Sequence, residues 1–421
     1  MLFRALRSRN YRLYFIGHGL SLIGTWMHSI ALQWLVYRLT GSARLLGVVT
    51  FSTQICGLVL APFAGVIVER MDRRRLLMVT QSLAMTLALM LATLVFTETI
   101  AVWHIIVFSI CLGSVNAFDI TARQSFVVHM VEGKEDLANA IALNSMMFNG
   151  ARFLGPAVAG VLIAKVGEGF CFLINAISYI SILIALALMR VQPWEHVRGK
   201  RLWDDLVEGF EYAFHFQSLR TVFTLLALVS LFALPYTVLL PIFANDILQG
   251  GAKGYGWLVS SIGVGALCGA VFLASRKTVV GLEKVIAHGP LLLGLAMISF
   301  SWSRMIFLSM GILLFMGFGM MVHMASCNTV VQTIVDEKMR SRVMSIHMMT
   351  WTGLAPFGGL LVGDMAERTS PPITLTVAGV VCILGFLFFR KRMLQQRHVI
   401  ETAFASHKTE SVLPQMPNRV G

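Results

Sequence analysis

The residues of this sequence that could do chemistry are a few charged groups set among long apolar stretches. Six of the seven residues in "ERMDRRR" (Glu69 to Arg75) are ionisable, although the chain is 57% hydrophobic and only 13% charged. Asp119 and Arg152 also stand inside apolar stretches. Charge is costly in hydrocarbon, so such residues usually pair with each other or mark a gate, a proton relay or a substrate pathway.

The composition places the chain in a membrane. Its mean hydropathy is +0.75, whereas soluble domains carry roughly 25% charged residues. Apolar stretches of about 20 residues, long enough to cross a bilayer, recur along the whole sequence and predict an all-α membrane protein. The twelve predicted spans are residues 11–38, 43–68, 75–97, 101–128, 138–164, 168–190, 218–246, 253–275, 283–303, 305–334, 341–364 and 372–389.

The net charge of +13 follows from the placement of Lys and Arg in alternate loops. Clusters precede span 1 and follow spans 2, 6, 8, 10 and 12, while the other loops carry mostly scattered single cations. By the positive-inside rule both termini are cytoplasmic. The basic excess therefore reports topology and not a nucleic-acid partner, and we expect a multi-pass protein of the bacterial inner membrane.

The chain reads as two copies of one plan. An ungapped shift of 204 residues brings Gly65 onto Gly269, Arg73 onto Lys277 and Gly155 onto Gly359. Parallel halves of this kind indicate a transporter whose site lies between them. The predicted units are residues 1–190 and 218–392, a cytoplasmic linker at 191–217 and a disordered tail at 393–421. Within the linker an amphipathic helix is predicted from the helical spacing of Trp203, Leu206, Phe210 and Phe214.

The loop after span 2 resembles the signature of the major facilitator superfamily, Gly-x-x-x-Asp-Arg-x-Gly-Arg-Arg. Gly65, Arg70, Arg73 and Arg74 match it, Glu69 replaces the Asp and Asp72 the second Gly. A narrower resemblance, to the branch of the enterobactin exporter and the transmembrane secretion effectors, rests on "SLIGTWMHSIALQWLVYRLTGSARLLG", "AFDITARQSFV", "NGARFLGPAVAG", "EGFEYAFHF" and "VDEKMRSRVMS". In that branch an aspartate at position 72 is usual. The resemblance implies twelve transmembrane helices in two pseudo-symmetric six-helix bundles.

The resemblance also implies a gate at this loop. Glu69 should meet the start of span 11 near Ser341, whose helix dipole favours a carboxylate, with Arg123 of span 4 on its other side. Such a contact would stabilise the outward-open state. The alternative is that the charges only anchor the topology, above all at Arg74 and Arg75. The residues assigned to the gate are Gly65, Glu69, Arg70, Asp72, Arg73, Arg123 and Arg342.

Span 5 contains "GARFLGPAVAG", which resembles the glycine-rich motif of proton-driven drug exporters. Its glycines allow close helix contact and its proline removes one internal hydrogen bond, so the segment can pack tightly and bend. The resemblance favours exchange with protons, and ordinary helix packing is the alternative. The motif residues are Gly150, Arg152, Gly155, Pro156 and Gly160.

Asp119 has two open interpretations. It is either a proton-responsive carboxylate or one member of a fixed ion pair with Arg123 or Arg152. In this superfamily spans 1, 4, 7 and 10 line the cavity, and aromatic groups with few fixed charges suit a bulky amphipathic substrate. The candidate lining residues, each of which could instead face another helix, are Trp26, His28, Gln33, Asn116, Tyr236, His323 and Asn328.

The leading functional hypothesis is secondary active export of a drug-like or siderophore-like amphipathic molecule in exchange for protons, by a monomer that needs no cofactor. Import or lysolipid flipping would use the same fold, and a non-transporting sensor or scaffold is less favoured. The sequence holds no GxxxxGK[ST] or HExxH motif, which argues against ATP-driven transport and metalloenzyme chemistry. Its six cysteines stand singly inside spans, so no disulfide or metal site is predicted.

Overall fold

The protein is described by a computed structural model covering residues 4–131, 133–190, 208, 211–276, 281–336 and 339–395. Within these ranges it describes every side chain except those of residues 61, 62, 66, 69, 129, 134, 135 and 341. The tail predicted to be disordered, residues 393–421, lies outside the described residues from position 396 onward. Trp203, Leu206 and Phe210 of the predicted linker helix lie outside them too, while residues 211–215 are helical.

Twelve long helices follow one another through the described ranges, one for each predicted span. They are α1 Arg9–Thr40, α2 Ala43–Arg70, α3 Arg73–Phe96, α4 Val102–Val127, α5 Lys134–Val166, α6 Glu168–Leu188, α7 Gln217–Ile247, α8 Gly251–Ala274, α9 Leu282–Trp302, α10 Ile306–Ile334, α11 Arg340–Arg368 and α12 Pro371–Gln395. Ten of them are long and apolar enough to cross a membrane by length and composition. The other two, α1 and α11, are less apolar, because His, Ser, Thr and Gly residues interrupt their apolar stretches.

Several helices extend past the apolar stretches that predicted them. α5 begins at Lys134 and α12 continues to Gln395, through Arg390, Lys391 and Arg392. Hydropathy marks only the part of a helix inside hydrocarbon, whereas backbone hydrogen bonding continues into water when the next residues are good helix formers. Lys and Arg are such residues, so the helices end later than the spans.

α7 is not a regular helix. It consists of Gln217–Leu228 and Tyr236–Ile242, each followed by a wide π-helical turn, Val229–Ala233 and Phe243–Ile247. Such turns are rare and often occur at functional sites. The sequence pattern predicted the span without this interruption, because hydropathy does not report the hydrogen-bond register.

The helices form two six-helix bundles related by the duplication. α4 and α10 begin 204 residues apart, at Val102 and Ile306, which is the shift seen in the sequence. α1 packs on α5 and α6, and α2 packs on α4, in the first bundle; in the second, α8 packs on α10 and α9 on α12. The bundles meet along two helix pairs, α5 with α8 and α2 with α11. The 204-residue shift relates these two helix pairs to each other.

An even number of spans places both described ends of the chain at one end of the bundle. We call this the terminal face, and the opposite end, which carries the α1–α2 turn, the distal face. At the terminal face Arg342 pairs with Glu208 at 2.5 Å. Tyr212 donates a hydrogen bond to Asp336 at 3.0 Å. Burial and the neighbouring Asp336 carboxylate raise the pKa of the Tyr212 phenol. The two contacts connect residues that precede α7 to the α10–α11 region.

Candidate functional site: a cavity between the two halves

The two bundles are joined at the distal face by polar contacts. α1 is capped at its C-terminal end by Gly41, whose φ of 61° is a left-handed conformation that favours glycine. The turn that follows brings Ser42 and Arg44 to the second bundle. Arg44 pairs with Asp364 of α11 at 2.9 Å. Ser42 Oγ donates to Glu367 at 3.0 Å. Because each contact joins one half to the other, together they hold this face closed.

A second set of contacts at the distal face joins α1 to the end of α7. The Tyr37 hydroxyl donates to Asp246, and the Asn245 amide donates to the same hydroxyl at 2.8 Å. We refer to all of these contacts as the distal clasp. Its members are Tyr37, Ser42 and Arg44 of the first half with Asn245, Asp246, Asp364 and Glu367 of the second.

Between the distal face and the membrane centre the halves touch backbone to backbone. On α5 and α8, a methyl group at Gly256 would lie 2.5 Å from the Pro156 carbonyl oxygen, and one at Gly160 would lie 2.8 Å from the Ala252 carbonyl oxygen. Ser260 Oγ donates across the same pair to the Phe153 carbonyl at 2.9 Å. Small residues permit this approach, as in other membrane helix pairs.

The α2–α11 pair shows the same packing, as its symmetry requires. A methyl group at Gly47 would lie 2.5 Å from the Gly359 carbonyl oxygen, and one at Gly363 would lie 2.6 Å from that of Ala43. Toward the terminal face the close approach ends, because a methyl group at Gly65 would meet nothing within 4 Å.

The terminal half of the interface is open. Near the distal end α1 is covered, and Leu35 and Val36 are fully buried. Toward the terminal face Ile141 of α5 is 59% and Phe148 47% exposed, on the face of α5 that turns toward Trp26 of α1. The halves therefore enclose a cavity that opens at the terminal face and is closed by the distal clasp.

The inner end of this cavity is polar and aromatic. Arg152 of α5 places its guanidinium 5.8 Å from the ring centre of Trp26 on α1. Phe148 meets the same ring edge-on at 5.7 Å. Tyr236 of α7 is buried and interacts electrostatically with Arg152. Gln33 donates to Thr50 of α2 at 3.1 Å.

The glycine-rich motif of α5 positions Arg152 beside Trp26. Gly155 lies against α1, where a methyl group would come within 2.5 Å of Trp26 Cβ, and Gly160 and Pro156 lie against α8. α5 runs through Pro156 as one helix. Gly150 has open space around it, so the motif supplies packing at Gly155 and Gly160 and places Arg152 between α1 and α8.

Two candidate lining residues, His28 and His323, are buried inside the bundles. His28 is buried against Phe172 of α6, with ring centres 4.9 Å apart, and faces the interior of the first bundle. His323 is buried against Gly289 of α9. Asn116 is half-buried on α4, and Asn328 accepts a hydrogen bond from Gln332 at 2.6 Å. Nearly all-apolar helices do not reveal from sequence which face turns to the cavity.

Asp119 is 2% exposed and lies inside the first bundle, not on the cavity. It forms an ion pair with Arg123 one helical turn away, and accepts hydrogen bonds from Thr80 at 2.9 Å and Gln81 at 2.6 Å on α3. Arg123 in turn lies 2.6 Å from His18 Nε2 on α1. Since arginine can only donate, that ring nitrogen accepts. Of the two partners considered for Asp119, the structure brings it to Arg123.

The residues of the gate motif are held on the first bundle. Asp72 caps α3 by accepting hydrogen bonds from the backbone amides of Arg74 at 2.9 Å and Arg75 at 3.2 Å. Arg74 donates to the Ala187 carbonyl at the end of α6, at 2.7 Å. Arg70 is exposed at the end of α2, and Arg73 is half-buried. The side chains of Glu69 and Ser341 lie outside the described residues, so their expected contact stays a prediction.

A family model described as transmembrane secretion effector matches residues 2–418. The chain belongs to this family of major facilitator transporters. The staphyloferrin A transporter of Staphylococcus aureus is 25% identical over 395 residues, covering 91% of this chain and 96% of that protein. The multidrug efflux pump Tap of Mycolicibacterium fortuitum is 23% identical over 381 residues, covering 87% and 90%. The protein is thus a multi-pass membrane transporter, and its relatives are not enzymes.

Solved structures show the same fold. An inward-facing, occupied bacterial homologue of the human lysosomal transporter Spinster superposes with a TM-score of 0.69 at 12% identity, covering 97% of each chain. The human organic anion transporter MFSD10 superposes with a TM-score of 0.59 at 15% identity, covering 90% of this chain and 99% of that one. At these identities the likeness confirms the two-bundle fold and nothing finer.

Sequence reasoning on this transporter missed the residues that surround the charged pair and those that close the distal face. His18, Thr80 and Gln81 are ordinary polar residues in the sequence, and only the folded bundle brings them to Asp119 and Arg123. Two local signals were present. Asp119 and Arg123 have the i, i+4 spacing of a helical ion pair, and Asp72 directly before α3 is a favoured N-cap residue.

Proposed function

We propose that this transporter exports an amphipathic organic molecule across the bacterial inner membrane in exchange for protons, with its terminal face in the cytoplasm. The observation that carries the proposal is a cavity between the halves that is open at the terminal face and closed by the distal clasp. Arg-rich segments at the terminal face support this orientation by the positive-inside rule. Each chain contains both halves of the cavity, which favours a functional monomer.

The cycle follows from the two interfaces. Substrate enters the cavity at the terminal face, and the halves then approach there along α2–α11 and α5–α8 while the distal clasp opens. Gly65 would become covered by α11 in that state, as the superfamily motif implies. Glu69 would then meet the start of α11, where the helix dipole favours a carboxylate.

Arg123 would link this gate to protons. In the described state it is engaged by Asp119 and His18. If it turns toward Glu69 when the terminal face closes, Asp119 loses its cationic partner, and a buried carboxylate without such a partner gains affinity for a proton. A proton taken from the distal side would then be released when Arg123 returns to Asp119.

The proposed substrate class combines the cavity with the relatives. Trp26, Phe148 and Tyr236 offer aromatic faces and Arg152 a fixed charge, which suits a molecule with both apolar and polar parts. A siderophore transporter and a multidrug efflux pump are among the chain's relatives. We therefore place drug-like or siderophore-like molecules first.

Everted membrane vesicles containing the protein test direction and coupling together. Respiration acidifies their interior, so an exporter that exchanges protons should accumulate radiolabelled staphyloferrin A inside, and nigericin should abolish the accumulation. Vesicles without the protein are the control. Equal uptake with and without the gradient would contradict the proton exchange.

The same preparations separate the alternatives. Accumulation only in right-side-out vesicles would indicate import. Movement of fluorescent lysophosphatidylcholine between leaflets, with no uptake of the siderophore, would indicate a lysolipid flippase. Either result would replace the export proposal while leaving the transporter assignment intact.

A further inference from the structure

Arg152 is a charged residue near the middle of a membrane helix whose charge is not neutralised by a described partner. It stands in α5 (Lys134–Val166), well inside both ends. Among the described residues, no carboxylate lies within salt-bridge distance of its guanidinium. Asp119, which the sequence offered as one possible partner, is engaged by Arg123, Thr80 and Gln81.

The surroundings of Arg152 compensate its charge only in part. The Trp26 ring lies under the guanidinium at 5.8 Å, and the buried Tyr236 interacts with it electrostatically. A cation–π contact offsets only part of the cost of placing a charge in hydrocarbon. An arginine inside a membrane normally pairs with an anion. None of the described residues supplies one to Arg152.

The guanidinium lies where a molecule in the cavity would meet it. Ile141, Ser145 and Phe148 precede Arg152 on one face of α5, and all three are exposed. They form a stripe that leads from the terminal face to Arg152. On the other side, the Arg152 backbone lies against Gly263 of α8, where a methyl group would be 3.0 Å from the Arg152 carbonyl oxygen. Arg152 thus stands at the seam between the halves, at the inner end of the open cavity.

We propose that Arg152 is an anion-binding subsite that takes the carboxylate of an aromatic organic acid, while Trp26 and Phe148 hold the apolar part of the same molecule. A guanidinium binds a carboxylate through two parallel hydrogen bonds, which gives both strength and orientation. The substrate class of the proposed exporter is therefore organic anions, and organic cations are disfavoured. This inference rests on the proposed function, whose cavity it refines.

Dansylglycine and dansylglycinamide test the subsite, because they share one ring system and differ only in the carboxylate. Binding is followed by dansyl fluorescence, with the full-length protein in phosphatidylcholine nanodiscs. We expect the wild type to prefer the acid over the amide by about tenfold or more, since a charge-assisted hydrogen bond is lost in the amide. Arg152→Gln should bind both equally, with amide affinity unchanged, and Arg152→Lys should keep part of the preference. Arg220→Gln, an exposed arginine at the start of α7, is the matched control and should behave as wild type.

Three results would overturn the subsite: no binding of the acid by the wild type, equal affinity for acid and amide, or an unchanged preference in Arg152→Gln. Nanodiscs containing phosphatidylglycerol form a second arm. If this lipid displaces dansylglycine from the wild type but not from Arg152→Gln, a lipid phosphate occupies the site and the substrate assignment is wrong.

The subsite and the export proposal fail in different ways. Gradient-driven uptake of staphyloferrin A with an unchanged KM in Arg152→Gln would remove the subsite and leave export standing. Arg152-dependent binding of dansylglycine, together with gradient-independent transport in the wild type, would keep the subsite and remove the proton exchange.

Discussion

The two bundles carry different chemistry at the same place in their common plan. Asp119 and His323 are 204 residues apart, as are Arg123 and Cys327. Both pairs have i, i+4 spacing on equivalent helices, and both Asp119 and His323 are buried. In the first bundle the pair is ionic, whereas in the second the Cys327 sulfur and the His323 Nε2 lie 3.8 Å apart.

The surroundings of the two pairs differ in the same way. His18, Thr80 and Gln81 converge on the ionic pair, and the equivalent positions of the second half hold Val222, Lys284 and Val285. His323 packs instead on Gly289. The duplication therefore kept the helix geometry, while a charged pair at this position was kept in the first bundle only. We therefore assign the proposed proton-linked chemistry to the first bundle, since the second carries His323 and Cys327 at the equivalent positions.

The sharpest way to break this comparison is to neutralise Asp119. Asp119→Asn leaves Arg123 buried without its anion, which we expect to destabilise the protein by about 3–5 kcal/mol and to abolish gradient-driven uptake in everted vesicles. His323→Asn, at the equivalent position, should cost about 1 kcal/mol and preserve uptake. Melting temperature in detergent and vesicle transport are the measurements.

A double variant keeps this prediction open to failure if Asp119→Asn does not fold. Asp119→Asn with Arg123→Gln removes both charges, and should recover stability without recovering gradient-driven uptake. Equal losses in the Asp119 and His323 variants would mean that the halves do not differ in the way proposed.

Packing, unlike charge, should be shared by the halves. Gly256→Leu and Gly47→Leu each force a side chain into backbone of the opposite bundle, so we expect both to destabilise the protein by about 1–3 kcal/mol and to slow transport. Gly311→Leu is the control, because a methyl group there meets nothing within 4 Å. A large loss at only one of the two interfaces would show that the pairs are not equivalent.

The gate prediction also applies to one half only, because Leu273 occupies the position of the second half that corresponds to Glu69. Glu69→Gln should favour the state open at the terminal face and slow transport roughly tenfold, a typical allosteric coupling. Leu273→Gln should change neither. Labelling of Ile141→Cys by an impermeant maleimide, in a background without the native cysteines, reports the open state. If Glu69→Gln transports normally, the charges of the motif only anchor the membrane topology.

The smallest expected effect concerns Asp72, whose counterpart is Arg276. Asp72→Ala removes the cap of α3 and should lower the free energy of unfolding by about 1 kcal/mol. Arg75→Gln should change it less, because the Arg75 side chain is 86% exposed and lies 3.8 Å from Asp72. Thermal unfolding compares the two, and an equal change in both would argue against capping.

Much of this fold was predictable, because each helix must cover about 30 Å of hydrocarbon with apolar residues. The predicted span 101–128 became α4, Val102–Val127. Helix rotation was not predictable. α1 and α10 are apolar nearly all round, so their sequence pattern does not indicate which way His28 and His323 face. The structure buries both inside bundles. Trp26 was assigned to the cavity from its position alone, and its contact with Arg152 depends on how α1 and α5 are turned.

The distal clasp has one further consequence. In its main ion pair the Arg44 and Asp364 side chains are 52% and 40% exposed. Dissolved ions screen such charges over about 8 Å at physiological ionic strength. Salt on the distal side alone should therefore loosen the clasp, while the ionic pair buried at Asp119 stays shielded from it. We expect transport to respond to ionic strength asymmetrically, according to the compartment in which the salt is raised.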